Sequence, residues 1–166
     1  PAIGGDIARP YFLEFNCRFG DPEAQVILNL LDSPLLGIIT ACMSGEKVLA
    51  NWKDETVAVA VVMAHEDYPT KKLDVETEVI VQYDIMDPSV KIYESNVTNV
   101  GGKKYTTGGR VLSVVCRSSS LLGAIDNIYD NVGYISYDGV YFRRDIGCNS
   151  GENVRYKEKL PRVGIM

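Results

Sequence analysis

Residues Glu14 to Glu23 read EFNCRFGDPE, and this decapeptide turns the chain from a strand into a helix. Tyr11 to Asn16 (YFLEFN) is rich in aromatic and other β-favouring residues and predicts a short strand. Asp21 then suits an N-cap, Pro22 the first helical position, and Glu23 the positive end of a helix. Ala24, Ile27, Leu28 and Leu31 follow at helical spacing. Glu14 and Asn16 are two apart on the predicted strand, so they share a face. A carboxylate and an amide carbonyl are both hard oxygen donors, suited to magnesium held jointly with phosphate oxygens. Arg18 continues the alternation and can clamp a carboxylate or phosphate in two-point fashion. Gly20 lets the backbone turn, and Asp21 falls where backbone donors converge at a helix start. A plainer reading stands beside this one. Asp-Pro-Glu is also simply a good helix start, and Arg18 paired with Asp21 or Glu23 on the surface contributes only ~0–1 kcal/mol. Glu-x-Asn alone is a weak motif.

Beyond the decapeptide, Ser33-Pro34 repeats the cap-plus-proline signal and predicts a second helix ending near Gly45. Val57 to Ala64 (VAVAVVMA) is apolar on both faces, as a central strand is. Further strands are expected at Glu78 to Gln82, Val90 to Glu94, Lys104 to Thr107 and Val111 to Cys116. Ser118 to Asn131 predicts a helix with Leu121, Leu122, Ile125, Ile128 and Tyr129 on one face. Tyr134 to Arg144 predicts a closing strand or hairpin with Asp138-Gly139 at its turn. This order suits a small α+β domain around a mostly antiparallel sheet with flanking helices.

The chain has 166 residues, room for one core and not for two ordinary domains. Its 17 basic and 22 acidic residues leave a net charge of -5, a poor general field for nucleic acid or an anionic membrane. Cys17, Cys42, Cys116 and Cys148 are widely spaced, and His65 is the one histidine, which argues against a zinc cage. They read as reduced thiols in a cytoplasmic protein. The longest apolar run is too short to span a bilayer.

Taken whole, the decapeptide resembles the signature near the C-terminal end of the ATP-grasp region in the phosphoribosylamine–glycine ligase (glycinamide ribonucleotide synthetase) family of purine biosynthesis. Three later segments resemble the same family in the same order. They are Gly45 to Met63 with Trp52, leading to Tyr68-Pro69; Thr107 to Val114 (TGGRVLSV); and Gly139 to Gly147 (GVYFRRDIG). PAIGGDIARP at the start, Thr70 to Asp87 and the tail from Cys148 depart from the family pattern.

The resemblance implies the last strand and helix of an ATP-grasp region over 1–32, the ligase's C-terminal domain over 33–147, and a polar tail or linker over 148–166. It places Mg2+ (or Mn2+) on Glu14 and Asn16 at the phosphates of the co-substrate ATP, and adenine against Leu13. Arg18 and Asp21 become substrate-side residues facing glycine or its acyl phosphate. The implied reaction joins glycine to 5-phosphoribosylamine through glycyl phosphate. It asks for alignment and charge neutralisation and little acid–base work, which suits a site of Glu, Asn and Arg. Further purine-pathway domains on the same chain are an implied possibility of the family. The phosphate-covering loop and lysines of an ATP-grasp enzyme have no counterpart before Glu14. The expectation is therefore a C-terminal fragment, inactive alone. A binding or assembly module that reuses the fold is the alternative.

Outside the decapeptide, Gly108-Gly109-Arg110 either offers donors to an anion or simply enters a strand tightly, the reading favoured. In Arg143-Arg144-Asp145 one arginine is expected to pair with Asp145. His65 reads as a packing residue. Asn96-Val97-Thr98 fits a glycosylation sequon by chance.

Overall fold

A computed structural model describes residues 12–15, 17–70 and 76–147. Among these residues three α-helices and two antiparallel sheets form: α1 (Glu23–Leu30), α2 (Leu35–Met43), β1 (Val57–His65), β2 (Glu78–Val81), β3 (Val90–Glu94), β4 (Val97–Val100), β5 (Lys103–Thr106), β6 (Arg110–Ser118), α3 (Leu121–Val132), β7 (Ile135–Ser136) and β8 (Val140–Phe142). The first sheet runs β3-β6-β1-β8, and the second runs β4-β5-β2-β7.

The alternation of side chains sorts the first sheet into two faces. Val61 opposes Val114, Val59 opposes Cys116, and Met63 opposes Leu112. Ile92 of β3 joins them opposite Val114. This face carries the core, closed by Ala124, Ile125, Ile128 and Val132 of α3. On the other face Ala58, Ala60 and Val62 oppose Arg117, Val115 and Ser113. Pro22, Val26 and Ile27 meet Ala60 there, so α1 lies against small side chains. Covering both faces explains why β6 is buried from Val111 to Cys116. Val79 of β2 and Ile135 of β7 join the same core and tie in the second sheet. Tyr137 Oη also donates to the Ala64 carbonyl at 2.9 Å.

Several sequence expectations meet corrections. Residues 12–15 enter no strand, although Tyr11 to Asn16 predicts one. Phe12, Leu13 and Phe15 stay exposed, and an isolated strand is marginal without neighbours to take its backbone hydrogen bonds. Asp21 does not cap α1. Pro22 holds that position without a side-chain cap bond, and the Asp21 carboxylate is used elsewhere. Ser33 does not cap α2, because its Oγ accepts the Asn51 N–H at 2.8 Å. The helix expected from Ser118 starts at Leu121: β6 continues through Ser118, and Ser120 caps α3, accepting the Gly123 N–H at 3.1 Å. Leu121 and Leu122 consequently fall in the first turn, near the rim, and stay half-exposed.

Strand β4 was not expected. It forms a hairpin with β5 through Gly101-Gly102, whose φ values are 60° and 82°. Two adjacent residues at positive φ match the turn that antiparallel strands prefer, and the glycine pair was its sequence signal. The expected closing hairpin around Asp138-Gly139 is a corner instead. Strand β7 pairs with β2 in one sheet and β8 pairs with β1 in the other. Gly139 turns that corner at φ +69°, and a Cβ there would lie 2.2 Å from His65 Nε2.

Among the described cysteines, Cys17 and Cys42 are exposed and Cys116 is buried. Burial pushes the Cys116 thiol up from its ordinary value, and a hydrogen bond with Ser89 opposes that only in part. Iodoacetamide near neutral pH should therefore alkylate Cys17 and Cys42 in the folded chain and reach Cys116 only after unfolding. Peptide mass spectrometry checks this, and native labelling of Cys116 at the rate of Cys42 would contradict the packing. Among the described residues no helix is long and apolar enough to cross a membrane.

Candidate functional site

The decapeptide begins in an exposed segment outside any strand or helix and ends in α1, which lies on one face of the first sheet. Leu13 is 90% exposed, and Glu14 beside it is exposed too. Asn16 lies outside the described residues. The rings of Phe12 and Phe15 meet at 4.6 Å between centroids and stiffen the segment locally. Arg18 donates from Nη1 to the carbonyl of Phe19 at 3.0 Å, which helps set the turn into Gly20. Glu23 folds back over Gly20, where a Cβ would lie 2.3 Å from Glu23 Oε2. The Ala24 N–H donates to the Gly20 carbonyl at 2.9 Å and closes the turn into α1.

Asp21 is held from two sides. Gln25 Nε2 donates to its Oδ1 at 2.9 Å, one helical turn on. Arg110 Nη2 lies 3.1 Å from its Oδ2, and Arg110 Nη1 donates to its carbonyl at 3.3 Å. Arg110 opens β6, and Arg117 near the far end of that strand donates to the Asn29 carbonyl at 3.3 Å. The two arginines thus grip both ends of α1, and Arg117 satisfies a carbonyl of its last turn. Asn29 adds a bond from Nδ2 to Tyr93 Oη at 2.7 Å. Sequence reasoning favoured a structural role for Arg110 and had no signal for its contact with Asp21.

Beside Arg110 the loops interlock. The His65 N–H donates to the Gly109 carbonyl at 2.8 Å, and the Tyr68 ring occupies the space beside Gly109 where a Cβ would sit. His65 packs as expected. Its side chain is largely buried against Gly139, and Nδ1 accepts the Asp67 N–H at 3.2 Å. Arg143 pairs with Asp145 through two bonds, Nε to Oδ1 at 2.9 Å and Nη2 to Oδ2 at 2.8 Å. Arg144 lies over the Phe142 ring at 5.4 Å.

The donors suit magnesium in kind, being a carboxylate and an amide oxygen. Among the described residues, however, no three His, Cys, Asp or Glu side chains converge as a metal-holding group. Glu14 and Asn16 would need outside oxygens, such as those of a phosphate, to complete a magnesium shell.

The sequence profile of the family described as phosphoribosylglycinamide synthetase, C domain, matches residues 58–149. The chain is 39% identical over 141 residues to the phosphoribosylamine–glycine ligase of Neisseria meningitidis serogroup B, covering 82% of the chain and 32% of that protein. It is 36% identical over 147 residues to the trifunctional purine biosynthetic protein adenosine-3 of Bos taurus, covering 83% of the chain and 14% of that protein. The fold is similar to the crystal structure of phosphoribosylamine–glycine ligase from Thermotoga maritima, with a TM-score of 0.67 and 29% identity. That likeness covers 82% of the chain and 33% of the other. The chain therefore spans a third or less of these proteins.

Proposed function

Because the chain belongs to the phosphoribosylglycinamide synthetase C-domain family, we propose that it works as the C-terminal portion of a phosphoribosylamine–glycine ligase in purine biosynthesis. The observation that carries this reading is the family match over 58–149, with EFNCRFGDPE earlier in the chain and the helix it leads into, α1, packed on the matched sheet. The Bos taurus relative supports the further proposal that other purine-pathway domains can share such a chain. A cytoplasmic location accords with that role.

In the proposed reaction a carboxylate oxygen of glycine attacks the γ-phosphorus of ATP and ADP leaves. The amine nitrogen of phosphoribosylamine then attacks the acyl carbon of glycyl phosphate, an amide forms and phosphate leaves. Glu14 and Asn16 would hold Mg2+ (or Mn2+), which when bound neutralises phosphate charge. Leu13, fully accessible, offers an apolar contact for adenine. Arg18 offers its guanidinium to the glycine carboxylate or its acyl phosphate, with Asp21 proposed as a second substrate-side residue. Alignment and fixed charge supply the catalysis, in keeping with the carboxylates, amide and guanidinium of the decapeptide.

Mixing the purified chain with the separately expressed N-terminal two-thirds of the Neisseria relative tests the reading. The expected result is ATP hydrolysis dependent on both glycine and phosphoribosylamine in the mixture and in neither part alone. Full activity of the 166-residue chain alone would overturn the fragment reading. Complex formation without ligation would favour the alternative of a binding or assembly module.

A further inference from the structure

We propose that Arg110 is an anion-binding residue, and that Asp21 is the positioning residue that aims it. The ligand is a carboxylate or phosphate oxyanion of a ligase substrate. This inference rests on the ligase reading for the identity of the substrate and on the geometry alone for the existence of the site.

The pair contributes little to the fold. The side chains of Arg110 and Asp21 are 40% and 43% exposed, and ion pairs so placed contribute only ~0–1 kcal/mol. Each half is nonetheless held by further bonds. The Arg110 carbonyl accepts from the Asn96 N–H at 3.2 Å and from Asn96 Nδ2 at 2.6 Å. Gly109 before it is fastened by the His65 N–H and covered by the Tyr68 ring. On the other side, the Asp21 carboxylate is braced by Gln25 Nε2.

A guanidinium carries five N–H groups in a rigid fork. Nη1 and Nη2 each spend one on Asp21, and among the described residues no other protein group takes Arg110's guanidinium. The side chain is 40% exposed and its planar fork is fixed by Asp21, which is the form that suits two-point binding of an oxyanion by the remaining N–H groups. Asp21 has both carboxylate oxygens occupied by protein donors, so it is suited to hold a cation in place and poorly suited to repel or abstract from an anionic substrate. The preceding Gly108-Gly109 pair makes room for the side chains of Asn96 and Tyr68, which pack where its Cβ atoms would lie and hold the entry to the strand in place.

The test is side-chain NMR of the 166-residue chain, following the Arg110 Nε–H signal while inorganic phosphate or glycine is added. A saturable shift is expected with one of the two, and that probe identifies the source as phosphate or carboxylate. Asp21→Asn should weaken the response about tenfold, the scale of one lost charge-assisted hydrogen bond. Its near-UV circular dichroism should match the parent. Arg110→Lys should weaken it similarly, because lysine keeps the charge and loses the fork. In the reconstituted ligase the same two substitutions should raise the KM of one substrate and leave the other unchanged. Their double variant should be no worse than either alone, as for residues acting as one unit. No shift with either probe, or an unchanged response in Asp21→Asn, would overturn the proposal. A specific shift in a chain that never reconstitutes ligation would leave the anion site standing and sink the ligase reading.

Discussion

Ile128→Ala should destabilise the chain by about 2–5 kcal/mol, the range for deleting a large aliphatic side chain from a packed core. Ile128 is 0% exposed and stands where α3 meets the core face of the first sheet. Removing three carbons there leaves a cavity that β1 and β6 cannot collapse into, because both are fastened in ladders on each side. Small domains hold only about 5–15 kcal/mol in total, so the loss is a large share of what exists. The matched control is Leu36→Ala in α2. That helix is as apolar in sequence (LLGIITACM), but none of its residues is buried, and Leu36 is 76% and Met43 84% exposed. The control should stay within about 0.5 kcal/mol of the parent, as surface substitutions do. Urea unfolding followed by circular dichroism measures both. Equal losses at the two positions would show that α2 shares the core with α3.

The second large effect concerns rate. In the reconstituted ligase, Glu14→Ala should lower turnover about a hundredfold to a thousandfold, the scale seen when one fixed group that stabilises developing charge is removed. Glu14 is exposed and lies outside any helix or strand, so the same substitution should change folding stability by no more than about 0.5 kcal/mol. The separation of these two readouts is the point of the experiment. Turnover at saturating ATP and magnesium, set beside a urea midpoint, resolves it. A turnover within a few-fold of the parent would remove Glu14 from the proposed magnesium position. A lost midpoint would make it structural.

Much of the architecture was legible because local periodicity carried it. VAVAVVMA could satisfy both its faces only as an interior strand, and β1 is one. The spacing of Ile125, Ile128 and Tyr129 announced α3, and all three are buried. Legibility failed where short elements depend on partners. β4 has four residues and was hidden behind a sequon-like Asn-Val-Thr, although Gly101-Gly102 marked its turn. Strands β7 and β8 looked like one hairpin because nothing local tells a chain which sheet it will join. Around the candidate site, Glu14, Asn16, Arg18 and Asp21 were read from one decapeptide. Arg110 was set aside, since it stands 89 residues from its partner Asp21.

By itself, then, the sequence determined the order and type of the main elements, the family resemblance and the chemical character of the decapeptide. These depend on side-chain periodicity, turn chemistry and residue identity, all of which act over a few neighbouring residues. Only the tertiary structure decided which helix is buried, where the chain changes sheets and what Asp21 does with its carboxylate. Those outcomes depend on which surfaces meet, and two arginines at opposite ends of one strand come to hold one helix only after the ladder between β1 and β6 has set their spacing.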